Sequence, residues 1–403
     1  MAALALSDRT KKNRKLNQLL SMLYHEGNKS IPDFSKSLHL SIPTVTRMLE
    51  ELTEVEFIIQ VGEGDSSGGR KPVIFGLNPH KNYVLAIDIS RYSVRIAIVN
   101  LKNEFITEVK NINQGLASSA DLLQVIKNES LNLIEKAGVK SEKILGAGIT
   151  LPGLIDFRTG INYTYFSATG KSLKQLFSEL FTFPVFVEHD TKAMALAESV
   201  FGLAKGKENV LCIVLGSGIG MSMILGGRPY RGNSGFAGEF GHISVVENGQ
   251  LCFCGKLGCL ETIASGDTLL QNAREGLTAG AASIIGTLSN NNAEKISLDV
   301  ILQAASLGDQ FAISLLSNTG EALGKGLAIL IHLFNPELII IGGPLSKAGN
   351  LLLDAIRQTL NKHTIGRILK DTSIVTSDLG ENAMLMGGIA LAVETYFENE
   401  QSL

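Results

Sequence analysis

The chain has 403 residues, enough for two or three domains. Its apolar fraction is 45% and its charged fraction 19%, which excludes a disordered, collagen-like or coiled-coil chain. Lys and Arg number 36 against 39 Asp and Glu, a net charge of −3, so bulk charge points to neither nucleic acid nor membrane.

From the N-terminus, the first apolar run is too short for a signal peptide, and no stretch approaches the roughly 18 apolar residues of a membrane span. A cytoplasmic location with no membrane partner is expected. Leu16, Leu19, Leu20 and Leu23 share one helix face, and Gly27 fits its end. Ser30 with Pro32 predicts the cap and first turn of a second, short helix carrying Phe34 and Leu38. Ser41 with Pro43 predicts a third, with Val45, Leu49 and Leu52 inward. Two β-rich stretches follow at 57–61 and Val73–Leu77, joined by GEGDSSGGRKP. Three short helices and a hairpin with a basic loop describe a winged helix-turn-helix over residues 1–80. In that arrangement the third helix enters the major groove, and the DNA-binding candidates are Ser41, Thr44, Thr46, Arg47 and the wing residues Gly69, Arg70 and Lys71. Ten basic against nine acidic residues in 1–80 make a weak electrostatic case. Their distribution is better, with a basic run at 9–15 and acids at the far end of the third helix.

From residue 81 the pattern is α/β. Strands are predicted at Tyr83–Ile89, 94–99, Ile144–Leu151 and 184–188, with helices at about 119–137, 171–181 and 190–202. Val210–Leu215 opens a second α/β lobe, with a late buried strand at 338–341. A last helix at about 382–397 returns to the first lobe. The expected division is a first lobe at 81–189, joined by the C-terminal segment from about 380 to 403, and a second lobe at 190–379. Two such lobes predict a ligand in the cleft between them.

Chemistry concentrates in the second lobe. His242, Cys252, Cys254 and Cys259 follow His-x9-Cys-x-Cys-x4-Cys spacing. One imidazole and three thiolates suit tetrahedral Zn²⁺, and four protein ligands make a closed, structural site. The GSGIG run at 216–220 follows a strand, so Gly216, Gly218 and Gly220 bring backbone N–H groups against a phosphate or simply turn a tight hairpin. Gly342 and Gly343 end another apolar strand and allow either a nucleotide or a strand end. Asp190 sits between strand and helix, as a helix cap or as a general base toward a sugar hydroxyl. Glu239, His242 and Glu261 flank the metal motif, and their carboxylates and imidazole suit vicinal sugar hydroxyls.

With these residues in view, GFAGEFGH at 235–242, CFCGKLGCLE at 252–261, ITLPG at 149–153 and the GSGIG turn resemble the ROK family of repressors, open reading frames and sugar kinases. With the winged head, the whole chain resembles its N-acetylglucosamine and xylose repressor branch. The resemblance implies an actin-like, RNase-H-like two-lobed ATPase fold. It implies that Glu239, His242 and Glu261 contact sugar hydroxyls, that His242 also binds zinc, that Asp190 matches the kinase base and that Gly153 lines the same pocket. Two positions depart from the kinase pattern. The first phosphate loop, Asp-x-Gly-Gly-Thr in kinases, here runs Asp88, Ile89, Ser90, Arg91, Tyr92, and side chains at 90–92 obstruct the backbone approach that two glycines permit. His189 stands where kinases carry Asn, which alters a hydroxyl contact.

These observations predict a sugar-responsive transcriptional repressor. Its partners are operator DNA, a sugar or sugar-phosphate effector and further copies of itself in a dimer or tetramer. Its cofactor is structural zinc, while the altered loop speaks against ATP and Mg²⁺. The alternative is an ATP-dependent hexose kinase with an appended DNA-binding domain, with Asp190 as its catalytic base. A third reading makes the inducer a protein.

Overall fold

Leu16, Leu19, Leu20 and Leu23 are all buried on one side of α1 (Lys11–Glu26), each stabilising the fold by roughly 1.5–3 kcal/mol. The computed structural model describes residues 11–64, 71–117 and 121–398. A two-residue strand β1 (Lys29–Ser30) leads into α2 (Ile31–Leu38). Ser30 Oγ accepts the Asp33 N–H at 3.4 Å and the Asp33 carboxylate accepts the Ser30 N–H at 2.9 Å, a reciprocal cap of the kind that fixes helix starts. The Ser30 hydrogen bonds hold the Asp33 carboxyl below the usual carboxylate range. In α3 (Ile42–Glu54) Val45, Met48, Leu49 and Leu52 are buried. Ser41 precedes α3 as expected but does not cap its backbone; its hydroxyl pairs with Thr44 Oγ1 at 2.8 Å. Strands β2 (Ile58–Glu63) and β3 (Val73–Leu77) complete an antiparallel sheet of order β1-β3-β2. That is the wing; the Gly69 and Arg70 expected at its tip lie outside the described residues, while Lys71 is exposed at its base.

The first α/β sheet holds β4 (Tyr83–Ile89), β5 (Val94–Asn100), β6 (Lys110–Ile112), β7 (Ile144–Leu151) and β8 (Val185–His189) in the order β6-β5-β4-β7-β8. The β4–β5 and β5–β6 pairs are antiparallel; β4–β7 and β7–β8 are parallel. Between these strands lie α4 (Leu122–Lys136) and α5 (Leu173–Ser178). Both are shorter than the sequence pattern predicts, α5 because Ser172 caps it together with Gln175. The core joins Ile87, Ile96, Ile98 and Ile149 to Ile126 and Phe177.

Helix α6 (Asp190–Phe201) leads onward. The second sheet holds β9 (Val210–Leu215), β10 (Ile219–Leu225), β11 (Arg228–Tyr230), β12 (Leu338–Gly342) and β13 (Ser373–Thr376). Its order, β11-β10-β9-β12-β13, repeats the plan of the first: antiparallel on one side of the central strand, parallel on the other. Helices α7 (Glu261–Ala264), α8 (Gly266–Thr278), α9 (Leu298–Ser306), α10 (Gln310–Phe334) and α11 (Asn350–His363) cover it. Helix α12 (Ala383–Glu398) ends the described chain.

The chain divides into two compact units, one running to Ala193 and resuming at Leu385, the other from Met194 to Met384. The break therefore falls four residues beyond the expected 189/190 boundary, inside the first turn of α6, and the winged head groups with the first lobe. No single helix among the described residues is long and apolar enough to cross a membrane.

Candidate functional site

Helix α3 carries the residues expected to read DNA. Arg47 is exposed, whereas Thr44 and Thr46 are half-buried. Thr46 Oγ1 donates to the Ile42 carbonyl at 3.0 Å, and Thr44 pairs with Ser41. Two of the hydroxyls expected at base edges are thus engaged within the helix, and Arg47 is the long exposed donor near its N-terminal end.

In the second unit His242 ends a 3₁₀ turn at Phe240–His242. The loop after it folds back through bridges between Ser244 and Cys259 and between Leu251 and Leu257. One ligand atom from each of His242, Cys252, Cys254 and Cys259 lies within 4.8 Å of every other. His242 Nδ1 is 3.6 Å from Cys252 Sγ, and Cys254 Sγ is 3.6 Å from Cys259 Sγ. Those sulfurs are too far apart for a disulfide, where about 2.05 Å is required. They match the edges, roughly 3.6–3.8 Å, of a tetrahedron built on metal–sulfur bonds of about 2.3 Å. The donor set and its geometry therefore fit a metal ion. His242 turns its other nitrogen, Nε2, toward Glu239 Oε2 at 4.0 Å, so one face of the ring serves the cluster and the other faces a carboxylate.

Two residues past Cys259, Glu261 opens α7, and its Oε2 accepts the Ile219 N–H at 2.8 Å. A Cβ on Gly218 would collide with that carboxylate. The metal loop thereby fixes the acid that grips the GSGIG turn. This turn is a tight hairpin: Leu215 pairs with Ile219, and the Gly216 N–H reaches the Gly218 carbonyl at 3.0 Å. Gly220 lies within β10 rather than in the turn. Gly343 sits at φ +81°, where a Cβ would meet the Leu215 carbonyl at 2.6 Å. Gly342 pairs with Val214, so the structure brings the two glycine segments together at the ends of β9 and β12.

In the first unit the ends of β4, β7 and β8 bring together Asp88, Thr150, His189 and Asp190. Thr150 Oγ1 donates to Asp88 Oδ1 at 2.8 Å. Burial pushes the Asp88 carboxyl up to about 6; the Thr150 hydrogen bond opposes that shift, and the nearby Asp190 charge adds to it against Arg95. Asp190 Oδ1 accepts the Thr191 N–H at 2.6 Å, and His189 Nδ1 lies 3.1 Å from the same carboxylate oxygen. His189 Nδ1 also pairs with the Thr191 hydroxyl at 2.8 Å. The Asp190 bond goes to the adjoining N–H rather than reaching two or three residues into α6 as a cap does, and its carboxylate stands beside the His189 imidazole. Gly153, at φ +117°, packs on the side chain of the buried Asn162, whose amide donates to the Pro152 carbonyl at 3.0 Å.

The loop of Ser90, Arg91 and Tyr92 closes on itself. The Ser90 N–H reaches the Ser93 carbonyl at 2.8 Å, and Ser90 Oγ accepts the Ser93 N–H at 3.0 Å. The carbonyls of Ser90 and Arg91 accept N–H groups of Leu116 and Ala117. Gly115 lies so close that a Cβ there would sit 2.5 Å from the Ser93 nitrogen.

A winged reading head on a twice-repeated actin-like α/β body with a His–Cys₃ loop defines a class of protein that joins a helix-turn-helix to a sugar-kinase fold. The chain belongs to the ROK family, whose model matches residues 84–395, and a MarR family model matches residues 16–60. It is similar to the xylose repressor of Caldicellulosiruptor bescii, 29% identical over 385 residues that cover 94% of this chain and 96% of that one. It is also similar to the DNA-binding transcriptional repressor Mlc of Escherichia coli, 28% identical and covering 91% and 89% of the two chains. Among solved structures, a ROK family transcriptional regulator homologous to the E. coli MLC protein matches with a TM-score of 0.78 and 28% identity, covering 96% of this chain and 98% of that one. A ROK family glucokinase from Streptomyces griseus in complex with glucose and AMPPNP matches with a TM-score of 0.67 and 29% identity, covering 76% and 98%.

Sequence reasoning misses Glu198, which is fully buried in α6. Its carboxylate accepts the Ser377 hydroxyl and, at 2.9 Å, the Leu203 N–H. Burial raises its pKa. It ties the C-terminal end of α6 to the segment after β13 through a pairing 179 positions apart in sequence, which no local pattern reveals.

Proposed function

We propose that this protein is a sugar-responsive transcriptional repressor. The observation that carries the reading is full-length similarity to repressors, head and body together. The head binds operator DNA through α3 and the wing, with Arg47 and Lys71 among its contacts. Two heads of a homo-oligomer engage a palindromic operator. The effector is a sugar or sugar phosphate, and its candidate ligands are Gly153, His189, Asp190, Glu239, His242 and Glu261. It relieves repression by binding the DNA-incompetent state more tightly.

Zinc is the metal we assign to His242, Cys252, Cys254 and Cys259, because three thiolates and one imidazole are a borderline-soft, closed donor set. Its role is structural: it keeps Glu261 on the Gly218–Ile219 turn.

Helix α12 is the path of coupling. The chain passes between the units twice, in α6 and in α12, and α12 continues to Glu394 and Phe397, which meet His25 and Tyr24 of the head.

The kinase reading draws support from the glucokinase similarity and from Asp190. The closed Ser90–Ser93 turn weighs against it, because phosphoryl transfer depends on positioning the phosphates. A thermal-shift screen of sugars and sugar phosphates, with and without ATP, tests the choice. Stabilisation by a sugar alone supports the sensor; stabilisation that requires ATP supports the kinase.

A further inference from the structure

At 3.6 residues per turn, Pro43 and Arg47 lie opposite the buried Val45, Met48, Leu49 and Leu52 of α3, while Ile42, three residues before Val45 and seven before Leu49, continues the edge of that buried stripe into the exposed first turn. The sequence pattern points to the hydroxyls of Ser41, Thr44 and Thr46 as base contacts. The structure engages those of Ser41 and Thr44 with each other, and that of Thr46 with the Ile42 carbonyl. What the tip of the helix presents instead is apolar. Ile42 is 55% exposed and Pro43 beside it is exposed. An isolated exposed isoleucine needs no explanation on an ordinary surface. This one occupies the first turn of the helix that a helix-turn-helix inserts into the major groove, with the exposed Arg47 five residues along.

In the major groove only thymine offers an apolar group at its edge, the C5-methyl. We infer that Ile42 is a specificity-determining residue that packs on the C5-methyl of a thymine in each operator half-site. The inference rests on the DNA-binding role proposed for the head and deepens it. It assigns the sequence preference at the helix tip to methyl burial rather than to threonine hydroxyls.

The test uses the full-length chain and duplexes that it selects from a random DNA library. Each thymine of the selected site is replaced singly by deoxyuridine, which keeps every hydrogen-bonding group and deletes only the methyl. For the unsubstituted protein, one thymine per half-site is expected to lose about fourfold in affinity, the worth of one buried methyl group. The Ile42→Ala variant is expected to bind the thymine duplex more weakly and to show no further loss with uracil at that position, while Thr44→Ala keeps the full uracil effect. Because Ile42 is exposed, its thermal midpoint is expected to stay unchanged. A uracil profile identical in the unsubstituted protein and Ile42→Ala, or a profile with no sensitive thymine, overturns the inference and leaves DNA binding standing. Failure of the full chain to enrich any sequence overturns both.

Discussion

The imidazole Nε2 of His25 lies 3.5 Å from Glu394 Oε1, joining α1 of the reading head to α12. Beside this pair, the Tyr24 hydroxyl donates to Asn103 Oδ1 at 2.9 Å and its ring meets Phe397 edge to face. Burial, and then the charge of Glu394, raise the Tyr24 hydroxyl well above its usual range. The contacts that seat the head on the first lobe thus include an imidazole–carboxylate pair, a hydrogen bond and a ring contact.

If α12 transmits the effector signal, Glu394→Gln uncouples the two activities without removing either. The pair is partly exposed, so its loss costs stability only about 0.5–1 kcal/mol. Operator affinity in sugar-free buffer is expected to stay within about threefold, while the effector-induced loss of affinity shrinks by roughly three- to tenfold. Operator titrations with and without effector check this; an undiminished effector response would remove α12 from the coupling path.

Metal content is predicted at one zinc per chain. Cys254→Ala is expected to release it and to destabilise the second unit, because metal binding and local folding are coupled. The cost is expected on the order of 4 kcal/mol, seen as a fall of about 10 °C in the melting temperature. Elemental analysis and thermal denaturation check both halves, and protein purified without chelators yet free of zinc would contradict the assignment.

Asp88 gives the fold a defined pH dependence. Its carboxyl titrates near 4 in an unfolded chain and, through burial, at about 6 in the folded one. The folded state therefore binds this proton more readily. Above pH 6 the ionised carboxylate weakens the fold, and the penalty fades as pH falls through 6 toward 4. Asp88→Asn is expected to stabilise by about 1–3 kcal/mol at roughly pH 7.5 and to be neutral near pH 4. Denaturant titrations at both values check it; an equal effect at both would contradict burial of the charged carboxylate as the cause.

Where the sequence is legible, local chemistry is the reason. His242 and its three cysteines are readable as a cluster able to hold a metal because three thiolates and an imidazole at close spacing suit few other roles, and Ser30 is readable as a cap because a hydroxyl followed by proline recurs at helix starts. The GSGIG turn leaves two readings open because strand direction is a tertiary fact; only the Leu215–Ile219 pairing shows the hairpin. Ile42 escapes because it continues the apolar spacing of Val45 and Leu49, so its letter reads as core. Position at the tip of α3 exposes it. Ser41 is expected to cap α3, but competition from Thr44 takes its hydroxyl.

The central claim is that a sugar, not phosphoryl transfer, controls operator binding. The decisive measurement is operator affinity of the full chain across a panel of sugars and sugar phosphates, repeated with Asp190→Asn and run beside a coupled ADP-release assay. The account predicts that one member of the panel weakens operator binding. Asp190→Asn should then require roughly ten- to a hundredfold more of it, the worth of one charged hydrogen bond, with sugar-free operator affinity unchanged and negligible ADP release. Turnover on the order of 1 s⁻¹ or more, with operator affinity indifferent to every sugar tested, would contradict it and establish the kinase.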